Sequence, residues 1–128
     1  MSDDRYARGT ETRRAVLGNS YVERKREQTH DFDSDFQRYL IENSWGSVWA
    51  REGLDLRTRS LVTIAILATL RLDEELELHL RATKNTGATP EEIKEMLLHV
   101  AAYAGIPAAH HAFRVAKRVL AEFVEGAA

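Results

Sequence analysis

The sequence has no cysteine, and it has only two prolines among its 128 residues. The absence of cysteine excludes disulfide bonds, catalytic thiolates, thiol redox chemistry and cysteine-based metal sites. The longest aliphatic stretch, residues 61–70, is too short for the ~20 apolar residues that a membrane-spanning helix needs. No basic segment followed by an apolar run opens the chain, so we expect a cytoplasmic protein without a secretory signal.

Neither sign of charge is in large excess. The formal net charge of -2 and the pI near 6.2 give no overall field that would attract nucleic acid or an anionic membrane, so we expect neither as a partner. The length predicts one domain over residues 1–128. Within it, the charged segment 1–30 could form a basic arm for nucleic acid. Its interleaved acidic residues favour a solvated helix face or a subunit contact instead.

Helix signals are clearest in the second half of the chain. Thr89 can cap a helix, Pro90 suits its first position, and Glu92 stands three residues after Thr89, where it completes a capping box. With stops at the glycines that flank this region, the sequence predicts helices over residues 73–86 and 90–104. A short turn joins them, so we expect an antiparallel helical hairpin.

The remaining segments also carry helical spacing. Residues 57–71 are apolar on nearly every side and predict a central helix that must be enclosed, in part by another subunit. Helices are further predicted from about Asp4 to Leu17, with an exposed segment after it, from Asp33 or Ser34 onward, and from Pro107 onward. No alternating pattern of period two occurs. The predicted fold class is therefore all-α, a single-domain helical bundle of about six helices.

Two tryptophans and two arginines are candidate binding residues. Trp45 and Trp49 flank Gly46, which allows close backbone approach; the pair is either core packing or an aromatic wall over a small molecule. Arg57 and Arg59 stand at the amino end of the central helix, where cations oppose the helix dipole. The expected compensation is an anionic ligand, or a carboxylate from Glu42, Glu52 or Asp55.

Histidines supply the candidate acid–base chemistry. Glu75 and His79 are four residues apart on one helix face, where the carboxylate can orient the imidazole; the alternative is a surface ion pair. His110 and His111 are adjacent, so one of them can face inward. No HxxxH or HExxH spacing and no glycine-rich phosphate loop occur, so we expect no metal and no cofactor.

Five blocks of sequence, in order, carry a family resemblance over nearly the full length. They are RRAVLGNSYVERK, FQRYLIENSWGSVW, GLDLRTRSLVTIAIL, ELELHLRATKNTGATPEEI and HVAAYAGIPAAHHAF. The sequence resembles the carboxymuconolactone decarboxylase family of the alkylhydroperoxidase D-like superfamily. Other members of that superfamily carry a CxxC motif; here Leu72 and Glu75 stand at the two cysteine positions, while His79 keeps the histidine. Glu52 departs from the proline that is usual in the family.

The resemblance implies a cofactor-independent carbon–carbon lyase of protocatechuate catabolism that converts 4-carboxymuconolactone into β-ketoadipate enol-lactone. It also implies an all-helical homo-oligomer, commonly a trimer or hexamer. For a substrate that is a dicarboxylate lactone, His79 would act as general acid or oxyanion donor and Glu75 would orient it. Substrate-binding roles would fall to Arg57, Arg59, Trp45, Trp49, Tyr103, His110 and His111. The alternatives are a related enzyme moving protons on another lactone or keto acid, and a non-catalytic helical oligomer.

Overall fold

A computed structural model describes residues 4–127, with side chains through residue 124. Within residues 4–127 the chain forms seven α-helices, one π-helix and no strand, which confirms the all-α prediction. The elements are α1 (Arg5–Leu17), α2 (Asn19–Gln28), α3 (Ser34–Leu40), the π-helix (Ile41–Trp49), α4 (Leu56–Leu70), α5 (Asp73–Thr86), α6 (Pro90–Ala104) and α7 (Ile106–Ala127). These helices group into two compact units, which divide between Leu56 and Arg57. The single domain over residues 1–128 stays a prediction.

The first unit is built on a close crossing of α1 and the π-helix. A β-carbon added to Gly9 would collide with the backbone of Ile41, and one added to Gly46 would collide with the backbone of Arg5. The contacts are with backbone atoms, which cannot move aside as a flexible side chain can. Gly46 therefore serves the close approach that the sequence predicted for it.

The structure adds a helix to one prediction in this unit. The segment after Gly18, predicted as an exposed stretch, is helix α2, which begins directly after a glycine with a φ of 89°. The basic residues Arg24, Lys25 and Arg26 within it are exposed, as predicted. A single buried residue, Val22, anchors α2, so the sequence shows almost no apolar periodicity there.

In the second unit the predicted hairpin boundaries are confirmed. Helix α5 ends at Gly87 in the left-handed conformation, and α6 begins with a complete capping box. The hydroxyl of Thr89 accepts from the backbone N–H of Glu92 at 3.1 Å, and the Glu92 carboxylate accepts from the backbone N–H of Thr89 at 3.0 Å. Each contact satisfies a backbone donor that the start of a helix leaves unpaired.

The core of the second unit lies where α7 packs against both helices of the hairpin. Helix α4 adds Ile64 and Ala68 to it. The other side of α4 carries Val62, Ile66 and Leu70, which are 47%, 53% and 61% exposed. The residues that the structure describes therefore enclose this apolar helix only in part. Among the described residues, no helix has both the length and the apolar character needed to cross a membrane.

Candidate active site

His79 lies at the middle of the buried side of α5. At 3.6 residues per turn, the buried residues Leu76, Ala82 and Thr83 fall on both sides of it around the helix axis. Glu75 lies one turn earlier on the same side of the helix, and it is exposed. The sequence places the two on one face, and the structure adds that the imidazole is the partner turned toward the protein interior.

Burial changes the acid–base behaviour of this imidazole. It lowers the pKa of His79 from 6.5 to about 4, and the negative charge of Glu75 offsets part of that shift. At neutral pH the ring is therefore uncharged, with one N–H to donate and one nitrogen to accept. The arrangement can hydrogen-bond to a developing oxyanion or take up a proton. It does not hold a ready imidazolium at neutral pH.

This shift in pKa predicts how stability depends on pH. Between pH 6.5 and about 4 the unfolded chain protonates His79 while the folded chain does not, so the free energy of unfolding falls as the pH falls. We expect a loss of up to about 3 kcal/mol from this group. Urea unfolding at neutral pH and at about pH 4 should show a larger loss in the wild type than in His79→Gln. Equal losses of unfolding free energy in the two proteins would show that His79 binds its proton as readily in the folded chain as in the unfolded chain.

The two candidate arginines occupy opposite faces of α4. Arg57 falls on the side of Ser60 and Ile64, which are buried, and its guanidinium pairs with the carboxylate of Glu92 on α6. Arg59 falls on the side of the exposed apolar residues, next to Val62 around the helix. The expected carboxylates Glu42, Glu52 and Asp55 were the wrong partners for Arg57.

The adjacent histidines on α7 point to different neighbours. The Nε2 atom of His111 is 2.8 Å from the Oδ1 atom of Asp73, at the first residue of α5. His110 instead lines a cavity of about 490 Å³ between α6 and α7, together with Lys94, Phe113 and others. His79 and Glu75 do not line this cavity. His111 is therefore the histidine that contacts the helix carrying His79.

The aromatic candidates lie in different surroundings. Trp45 and Trp49 stack with ring centroids 4.9 Å apart and are only 6% and 7% exposed, which favours core packing of the first unit. Tyr103 is 84% exposed and stacks on His99 at 5.0 Å. Of the three, only Tyr103 has a ring that is accessible in the chain. Their role as an apolar wall remains a prediction.

Sequence reasoning missed the residues that hold these candidates in place. The sequence predicts Glu92 only as part of the cap of α6, yet its second carboxylate oxygen pairs with Arg57. The sequence predicts Asp73 only as the first residue of α5, yet its carboxylate contacts His111. Helix α5 is further tied to α7 by ion pairs that join Glu77 to Arg118 at 3.0 Å and Arg81 to Glu122 at 2.8 Å. The spacing Glu77–Arg81 was the one signal available in the sequence, because the other partners are distant along the chain.

Metal binding has no candidate cluster in the part of the chain that the structure describes. No three His, Asp or Glu side chains there come together in a way that could hold an ion. The chemistry that the candidate residues offer is proton transfer, hydrogen bonding and carboxylate binding. The predicted absence of a cofactor is not tested by this observation.

Known proteins resemble the chain across both units. Residues 34–118 match the sequence model of the Carboxymuconolactone decarboxylase family. A 4-carboxymuconolactone decarboxylase from Acinetobacter baylyi is 48% identical over 93% of this chain and 90% of its own length. A nitrosuccinic acid decarboxylase from Metarhizium robertsii is 37% identical over 91% of this chain and 82% of its own length. The chain therefore belongs to the carboxymuconolactone decarboxylase family.

Proposed function

We propose that the protein is a lyase that decarboxylates 4-carboxymuconolactone to β-ketoadipate enol-lactone, in the breakdown of protocatechuate. The observation that carries this proposal is the 48% identity, over 93% of the chain, to a decarboxylase of that substrate. The matched segment includes α5 with His79 at the centre of its buried side. Family membership alone would leave the substrate open.

The reaction needs a group that accepts the electron pair left behind by CO2, and it needs a proton for the product. When the ring-bound carboxylate leaves as CO2, its electron pair moves through the double bond into the lactone carbonyl, and the resulting dienolate is then protonated on carbon. A donor aimed at the carbonyl oxygen stabilises the charge that develops there. Nitrosuccinic acid, named for the second relative, offers the same opportunity, because a nitro group can accept the electron pair that CO2 leaves behind.

His79 is proposed as the catalytic residue and Glu75 as the residue that orients it. A neutral imidazole, which burial favours here, supplies an N–H to the oxyanion. The second carboxylate of the substrate belongs to an acetate side chain, the acetate arm, which stays on the ring. Arg57 and Arg59 are the candidates for binding it, because a guanidinium binds a carboxylate through two parallel hydrogen bonds. Tyr103 and His111 are proposed to complete the site.

The protonation state of His79 predicts a pH profile. If the neutral imidazole is the form that acts in catalysis, the titration of His79 should not change kcat/KM at any pH above about 5. If the free enzyme needed the imidazolium, kcat/KM would fall about tenfold for each pH unit above about 4. Initial rates measured across this range, with substrate well below KM, distinguish the two forms.

The direct test of function is incubation of the purified protein with 4-carboxymuconolactone. We expect loss of the substrate's ultraviolet absorbance together with release of CO2. Nitrosuccinate in a parallel reaction tests the second candidate substrate, which the 37% identical relative supports. An absorbance change without CO2 would indicate proton transfer on the lactone, and no change in either reaction would favour a non-catalytic oligomer.

We also propose that the protein is a cytoplasmic homo-oligomer, a trimer or a hexamer, built from single-domain chains. The support is the exposed stripe formed by Val62, Ile66 and Leu70 on α4, because an apolar stripe of this kind is unfavourable in water and marks a contact surface. Light scattering on the purified chain measures the assembly mass. A monomer would contradict the proposal.

A further inference from the structure

We propose that the first unit contains a second binding site, for a small monocarboxylic acid with an apolar body, in which Arg13 holds the carboxylate. The site is a cavity of about 510 Å³, a volume typical of small-molecule sites. It is formed by α1, α2, α3 and the start of the π-helix. The proposal does not depend on the decarboxylation proposed above.

The spacing of residues on the helices builds this cavity. Tyr6, Thr10 and Arg13 follow one another at three- and four-residue intervals, so α1 presents all three on one face. Val22 of α2 and Ile41 of the π-helix add apolar surface to the lining. The cavity thus combines a cation and a hydroxyl with an apolar wall, which is the combination that an organic acid needs.

Arg13 is the observation that points to a ligand. Its side chain is only 8% exposed, and its Nε atom is buried without a hydrogen-bond partner among the described residues. The Oγ1 atom of Thr10, on the same face of α1, is also buried without a hydrogen-bond partner among the described residues. Burial lowers the pKa of Arg13, yet a guanidinium stays protonated at neutral pH. A buried cation without a counter-ion is costly, and a carboxylate would relieve that cost through paired hydrogen bonds.

The charge around the cavity indicates how many carboxylates the ligand carries. Among the described residues, the other charged groups that line the cavity or form an ion pair with its lining are Arg14, Arg26, Arg38, Glu23, Glu42 and Asp35. Those three arginines and three carboxylates balance. Arg14 is 2.6 Å from Glu23, and the Nε atom of Arg38 is 3.1 Å from Glu42. Arg13 is thus the surplus positive charge, which matches a monocarboxylate better than a dicarboxylate or a phosphate.

Benzoate is the probe, titrated into the full-length protein by calorimetry. We expect saturable binding in the millimolar range or tighter. Benzamide, which has nearly the same shape without the charge, should bind at least about tenfold more weakly, as should phthalate. Inorganic phosphate tests whether negative charge without an apolar body is enough for binding. Binding of benzamide or phosphate as tight as that of benzoate would overturn the proposal.

Two variants connect the binding to this cavity. Arg13→Gln should weaken benzoate binding about tenfold or more. Thr10→Val replaces an unpartnered buried hydroxyl by a methyl group, so the variant should fold at least as well as the wild type and still bind benzoate several-fold more weakly. Thr10→Val keeps the test valid even if Arg13→Gln unfolds.

Two further substitutions, outside the cavity, serve as controls. Arg24→Gln removes an exposed arginine of α2 that does not line the cavity, and His79→Gln alters the proposed catalytic residue. Both should bind benzoate like the wild type. Unchanged affinity in Arg13→Gln or Thr10→Val would overturn the proposal, as would the absence of saturable binding. A change of assembly mass in Arg13→Gln would also overturn it, because Arg13 would then meet a carboxylate of a second copy.

Discussion

Replacing His79 by glutamine is expected to lower kcat for 4-carboxymuconolactone by ~10² or more, because the reaction has no other group proposed to donate to the oxyanion. Glutamine keeps a polar side chain of similar reach but places its amide in a different geometry. Since His79 contributes to transition-state stabilisation and not to holding the acetate arm, KM should change much less than kcat. Steady-state kinetics on the purified variant measure both.

His30→Gln is the matched control for this experiment. His30 is an exposed histidine between α2 and α3, so the same substitution there removes an imidazole that is not part of the proposed site. We expect near-normal kcat. Turnover by His79→Gln within a few-fold of the wild type would remove His79 from the mechanism, and a comparable loss in His30→Gln would show that the loss is not specific to the imidazole of His79.

Replacing Gly46 by alanine is expected to destabilise the first unit by about 3 kcal/mol or more. The added β-carbon would overlap the backbone of Arg5, and α1 would have to move away from the π-helix. That crossing joins most of the first unit, so the effect should spread through it. Thermal unfolding followed by circular dichroism and tryptophan fluorescence measures it, because Trp45 and Trp49 lie in the π-helix itself.

Gly53→Ala is the control, since a β-carbon added there meets nothing within 4 Å. The two substitutions make the same chemical change, and they differ in the space available to the new methyl group. We expect Gly53→Ala to unfold within a few tenths of a kcal/mol of the wild type. Equal stability of Gly46→Ala and Gly53→Ala would mean that α1 and the π-helix do not cross as closely as the structure indicates.

Local chemistry made the hairpin predictable. The helix starting at Pro90 follows from Thr89 and Glu92, whose side chains bond to backbone groups only three residues away. Gly87 ends α5 because the left-handed conformation suits a residue without a β-carbon. Signals of this kind involve residues within one helical turn of each other, so they can be recognised without knowing the rest of the fold.

Two elements of the first unit were harder to predict. Helix α2 has little apolar periodicity, because one residue, Val22, anchors it. The π-helix cannot be told from an α-helix by apolar spacing over nine residues, although Ser47 reaches back five residues to the carbonyl of Glu42 at 3.0 Å. In both cases packing against α1, and not intrinsic preference, decides the local conformation.

The sequence by itself determined the helical class, the hairpin boundaries, the absence of thiol chemistry and the pairing of Glu75 with His79 on one face. The tertiary structure alone decided that Arg57 meets Glu92, that His111 rather than His110 reaches α5, and that His79 is buried enough to lose its charge. The physical reason is the separation along the chain of the residues that interact. Caps and helix faces depend on neighbours within four residues, whereas ion pairs and desolvation depend on side chains that lie far apart along the chain.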